Sequence, residues 1–185
     1  MNKYESKNRS EIAAYDKWNI EAMYPDESKW DDDLTSALTE SQEFSSLRGT
    51  ITSSASHLLN ALDLYADIMR KAENAFVYSR MRHDEDNANS KYTEMNSKSL
   101  SVVAQISANL SFFTPELLET DKETIDRYVA ELSELKVYRF MLDSIMISKP
   151  HVLSSDEERI IAQLSETAKA PDVQRCRFNI WHCYR

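Results

Sequence analysis

Two cysteines and a histidine, Cys176, His182 and Cys183, fall within the closing stretch CRFNIWHCYR, and the chain has no other cysteine. Thiolate and imidazole are soft ligands for zinc, which takes four of them in a structural site and three in a catalytic one. The spacing works against such a site: the adjacent His182 and Cys183 cannot easily chelate one ion, and there is no Cys-x-x-Cys knuckle. The remaining histidines, His57, His83 and His151, share no ligand-bearing segment. None stands in a His-Glu-x-x-His turn, the spacing that brings two imidazoles onto one helix face. Carboxylates run together at 31 to 33 (DDD), 83 to 86 (HDED) and 156 to 158 (DEE). Acid–base catalysis needs two carboxyls whose surroundings separate their pKa values, whereas runs at helix starts and in loops are solvated. The residue types and spacings therefore assign no catalytic residue, no cofactor-binding residue and no metal ligand.

Composition narrows the class. The 185 residues suffice for one well-buried domain, and 42% hydrophobic content argues for a folded core. There is a single glycine, Gly49, and there are four prolines. Hairpins and parallel sheets need glycine-rich connections, so the expected fold is all-α: an antiparallel bundle of about six helices without significant sheet. The same scarcity removes glycine-rich phosphate cradles. A net charge of −9 repels nucleic acid and anionic lipid, and no basic stripe overrides it. No stretch approaches a membrane span and the opening residues lack a signal-peptide core, so neither nucleic acid nor membrane is an expected partner. A reducing cytoplasm is the expected location.

The elements follow from periodicity. After a polar leader, Trp18, Ile20, Met23, Tyr24 and Trp30 read as an apolar clasp around Pro25. Ser28 is the expected cap of a first helix, with Asp31 to Asp33 in its first turn, Trp30, Leu34, Ala37 and Leu38 on one face and Gly49 as terminator. From Thr52 a broad stripe of Ala55, Leu58, Leu59, Leu62, Tyr65, Ala66, Met69, Ala72 and Phe76 predicts a long helix. HDEDNANSKY is a break or a solvated helical section. A second long helix then carries Tyr92, Met95, Leu100, Val103, Ile106, Leu110 and Phe113. Thr114 is the expected cap and Pro115 the first residue of a short helix. Asp121 to Leu135 and the run through Tyr138, Leu142, Ile145 and Met146 read as further helix with a kink. Ser155 and Glu158 form a capping box before Ile160, Ile161, Leu164 and Ala168. Aromatic residues, Phe140 among them, are read mostly as core, and the nine scattered tyrosines signal peptide binding only weakly.

Three separated patches resemble one family. WNIEAMYP at 18 to 25, followed by Trp30, is similar to the opening of oligoendopeptidase F, a zinc metallopeptidase of the thimet oligopeptidase type. SFFTPELLE at 111 to 119 and KPHVLSSDEERIIA at 149 to 162 fit the same family in order and spacing. The resemblance covers about residues 18 to 170. It implies a helical N-terminal domain that walls a deep channel, which limits substrates to short, unstructured peptides. The family's zinc ligands, a His-Glu-x-x-His pair with a downstream glutamate, belong to a catalytic half to which no residue here corresponds, and His151 matches no ligand. The zinc is therefore expected in the full-length parent and no cofactor in this chain.

The expected organisation is a polar leader at 1–17, the N-terminal helical domain at 18–170 and an aberrant tail at 171–185. After Ala170 the sequence loses its helical period, gathers both cysteines and turns basic, with Arg175, Arg177 and Arg185 against Asp172. That is the pattern of a shifted reading frame. The expectation is a truncated N-terminal domain, inactive alone, whose partner is the missing catalytic half and whose parent cleaves internal bonds of oligopeptides. The face that would meet that half is expected to favour self-association. The alternatives are a non-enzymatic helical interaction module and a peptidase divided naturally between two chains.

Overall fold

A computed structural model describes residues 11–149. Among them are six α-helices and no strand: α1 (Glu27–Phe44), α2 (Ala55–Glu85), α3 (Ser90–Leu110), α4 (Phe113–Glu119), α5 (Lys122–Glu131) and α6 (Arg139–Ser148). The all-α expectation holds. The chain divides into two units, Met1–Leu142 and Asp143–Arg185, of which the second is described only through the end of α6. The capping box at Ser155, the helix after it and the tail lie outside the described residues.

Local chemistry explains where the helices begin. Asp26, Ser54, Asn89 and Asp121 each stand in extended backbone and accept a hydrogen bond from an amide in the first turn of α1, α2, α3 and α5. These side chains satisfy donors that no helical carbonyl can reach. The cap of α1 is thus Asp26 rather than Ser28, whose hydroxyl instead donates to the Asp26 carboxylate at 2.7 Å. An aspartate two residues earlier wins because it accepts the Lys29 amide with a full charge at the positive helix end. With that start, Asp31 to Asp33 move out of the first turn into the second.

At α4 the expected cap is also displaced. The helix starts at Phe113 without a side-chain cap, and Pro115 is its third residue rather than its first. The cost is nil, since the first four amides of a helix have no internal partner in any case. Gly49 lies beyond α1 and a 3-10 turn at Ser45–Leu47, with φ of +79°, the left-handed region that glycine enters freely. The kink before α6 is a 3-10 turn at Ser133–Tyr138.

The long helices form an up-down-up layer. Glu27 and Asp31 of α1 pair with Lys91 and Lys98 of α3, and Ser41 accepts from Asn109, so α1 and α3 run parallel. Trp30 meets Ala75 while Glu40 meets Lys71, so α2 is antiparallel to α1. Between them Ile20, Tyr24, Trp30, Leu34, Ala75, Tyr78 and Met95 form one buried cluster, with Met23 packed against it. This is the expected clasp with one correction: Trp18 is 81% exposed and stays out of it. The indole of Trp30 donates to the Ala75 carbonyl at 2.9 Å, so its one polar atom is satisfied on burial. The opposite end is aromatic, with Phe44 against Phe112 and Phe113, and Tyr65 stacked on Phe113 at 4.4 Å between centroids.

Three stripes differ in detail from their expected membership. In α2 Ala66 faces solvent while Ala61, Ile68 and Ala75 are buried. In α3 Leu100 is half exposed, and the polar Asn96 and Ser99 take the inner face. Phe140, read as core, is 86% exposed. Periodicity finds a helix face within one or two positions, and contact with a particular neighbour decides the rest.

Candidate functional site

Charged side chains that the bundle draws partly inward include Lys71, Arg82 and Glu116. Lys71 extends from α2 to Glu40 of α1 at 2.5 Å and to Asp67, one turn back, at 2.8 Å. Burial works against its charge, but the bonds to Asp67 and Glu40 outweigh burial and hold the ammonium above its usual pKa. Such a lysine stays protonated and is no nucleophile.

Arg82 is the more elaborate hub. Its guanidinium donates to Glu21 and Glu85, each at 3.0 Å, and lies over the rings of Tyr78 and Tyr92. Burial again opposes the charge, while the hydrogen bonds raise the pKa further out of the physiological range. The planar fork thereby ties the turn at Ile20–Ala22 to α2 and, through Tyr92, to α3. Pro25 to Ser28, Tyr78 and Arg82 border an open recess beside it.

Glu116 closes the far end. Its two carboxylate oxygens accept from the backbone amides of Gly49 and Ile51 at 2.8 and 2.9 Å, so one side chain of α4 fixes the loop between α1 and α2. Arg48 covers the Phe112 ring next to it. These hubs are structural ties in their geometry: the charge of each faces an opposite charge or a backbone dipole.

The residues singled out by type disperse. His57, in the first turn of α2, shares a hydrogen bond with the Ser54 hydroxyl, and His83 lies in the last turn beside Asp84. Twenty-six residues of one helix separate them, roughly 39 Å at 1.5 Å per residue, so they cannot share an ion. Among the described residues no three histidine, cysteine, aspartate or glutamate side chains gather as metal ligands. Zinc therefore does not fit this part of the chain. His151, Cys176, His182 and Cys183 lie outside the described residues.

The aspartates 31 to 33 spread over three partners, Lys98, Lys29 and the Tyr24 hydroxyl. Burial, then the Asp33 contact, drives the Tyr24 phenol well above its usual pKa. In the second run Asp84 pairs with Arg80 and Glu85 with Arg82, while Asp86 accepts from the Ala88 amide in the turn before α3. The hubs went unmarked in the sequence, though a trace was there. Arg82 stands four positions after Tyr78 and Lys71 three after Ile68, which places both charges along the buried stripe of α2.

No described helix is long and apolar enough to cross a membrane. The sequence profile of the family described as Oligopeptidase F matches residues 116–174. Oligopeptidase PepF of Bacillus subtilis is 30% identical over 158 residues, which are 85% of this chain and 24% of that protein. Group B oligopeptidase PepB of Streptococcus agalactiae is 31% identical over 164 residues, 87% of this chain and 27% of that protein. In structure, oligoendopeptidase-F from Enterococcus faecium superposes with a TM-score of 0.68 at 28% identity, over 78% of this chain and 29% of that one. The chain thus spans about a quarter of the length of the relatives it matches, in their N-terminal region. On these matches the chain belongs to the oligopeptidase F family, of which it carries the N-terminal helical region.

Proposed function

We propose that this chain is the non-catalytic helical portion of a zinc oligoendopeptidase, and that its bundle walls the channel through which short peptides reach the metal. The observation that carries the reading is the match along 85% of the chain to an oligopeptidase, joined to a shared fold over most of its length. Zinc chemistry would belong to the longer portion of the peptidase. The dispersal of His57 and His83 agrees with a supporting role for the helices described here. The metal's part is to activate water for attack on the peptide carbonyl. The part of these helices is to exclude folded substrates and bulk water. A cytoplasmic location fits a chain whose cysteine usage suggests no disulfide framework.

The test is a chimera in which this chain replaces the matched quarter of Bacillus subtilis PepF. It should hydrolyse a quenched fluorescent oligopeptide and lose that activity to a chelator, while the isolated chain does neither. Chelator-sensitive cleavage by the isolated chain would sink the proposal, as would a folded chimera without activity.

A further inference from the structure

From Ser99 to Pro115 no residue is charged, although 29% of the chain is, a share that would put about five charges into 17 positions. Most of that run is the second half of α3, and the outer side of the helix there is exposed: Leu100, Ser101, Ala104, Gln105, Ser107 and Ala108. The other long helices look different from outside. α1 shows Asp32 and Glu43 to solvent, and α2 shows Arg70, Glu73, Arg80 and Asp84. A solvated helix normally carries charge on its outer face, while fully buried interface cores are depleted of it. Short side chains also let a neighbouring helix approach closely, since the interaxial distance is set by the residues at the contact.

The occupant can be argued from magnitude. A second copy would bring a net charge of −9 against −9. One helix laid on one helix also falls short of the roughly 1,200–2,000 Å² of a stable interface. The face has no aromatic or arginine anchor to make up the difference. A segment of the same polypeptide has no such deficit, because linkage supplies an effective concentration in the millimolar range. The matched relatives are about four times as long as the aligned stretch, which leaves most of their chain available to cover this face.

We propose that the uncharged outer face of α3 is the surface on which the rest of the longer peptidase packs, through an uncharged helix face of that same polypeptide. The inference rests on the functional reading above and adds to it the face and the chemistry of the contact.

Ala104→Glu with Ala108→Glu is the test, and Val77→Glu on the outer face of α2 is the control. In the isolated chain all of these positions are solvated, and neither variant should move the thermal midpoint by more than about 2 °C. In the PepF chimera the α3 pair should lower the midpoint by about 5 °C or more, because two charges enter a contact without partners, while the control leaves it unchanged. Equal midpoints for the α3 pair and its parent chimera would overturn the assignment. So would a comparable loss in the isolated chain, which would put the occupant within these 185 residues. A dimer in sedimentation that the α3 pair dissolves would also overturn it in favour of a second copy. Because the readout is stability, a folded but inactive chimera refutes the peptidase reading and still decides the face; a chimera that does not fold counts against both.

Discussion

Glu116 shows how much one side chain can settle at the scale of the residue. Its two oxygens take both loop amides, so Glu116→Ala leaves the Gly49 and Ile51 donors without their charged acceptor. The expected loss is about 2 kcal/mol, read from urea unfolding followed by helicity. No change in the midpoint would mean that water serves those amides equally well. The two tryptophans of the clasp make a sharper pair. Trp30→Ala empties a buried site that also holds the Ala75 carbonyl, with an expected cost of about 3–5 kcal/mol, while Trp18→Ala should stay within about 0.5 kcal/mol. In the sequence the two look alike, since both stand in the same apolar stretch. Only the position of α2 distinguishes them, because it lies over Trp30 and leaves Trp18 at the rim of a recess bordered by Met81.

Helix starts carry the argument at the scale of the element. If Asp26 is the cap of α1, Asp26→Ala should lower the thermal midpoint and Ser28→Ala should lower it distinctly less; the reverse order in thermal melts would restore Ser28 to the role. The Ser28 hydroxyl and the Lys29 amide hold the Asp26 carboxyl below its ordinary pKa, and the Thr124 amide and hydroxyl do the same for Asp121. A depressed carboxylate pKa gives stability that is present above the unfolded value, near 4, and lost as the pH falls through the lower folded value. Helicity should therefore decline below about pH 4, and the asparagine variants of both residues should flatten that decline.

At the alkaline end Tyr138 of the 3-10 turn donates to Asp63 of α2 at 2.5 Å. Burial first and that carboxylate second raise the phenol from 10.0 to about 12. A raised pKa gives stability that is whole below pH 10.0 and lost as the pH climbs through about 12, so Tyr138→Phe should remove part of the alkaline transition in that window. The helices themselves were legible because a 3.6-residue period survives errors of one or two positions. Their caps were less so, since Asp26 and Ser28 are both competent and two residues apart, and the choice falls to which side-chain oxygen, carboxylate or hydroxyl, accepts the Lys29 amide.

For the whole molecule, the expected behaviour is that of a stable helical part without chemistry of its own. Dialysed protein should hold far less than one zinc per chain by elemental analysis. A stoichiometric, chelator-resistant ion would direct attention to Cys176, His182 and Cys183. What the sequence determined by itself was the helical class, through glycine scarcity and long apolar periods, and the family, through three short patches in a fixed order. Both are properties of the chain read along its length. The tertiary structure alone decided which charges became ties and which faces stayed open. Arg82, Lys71 and Glu116 meet partners up to 67 positions away, and the outer side of α3 is recognisable as a surface only once α1 and α2 cover the inner one. Contacts between distant residues depend on how helices pack, and a period read along one helix does not contain that information.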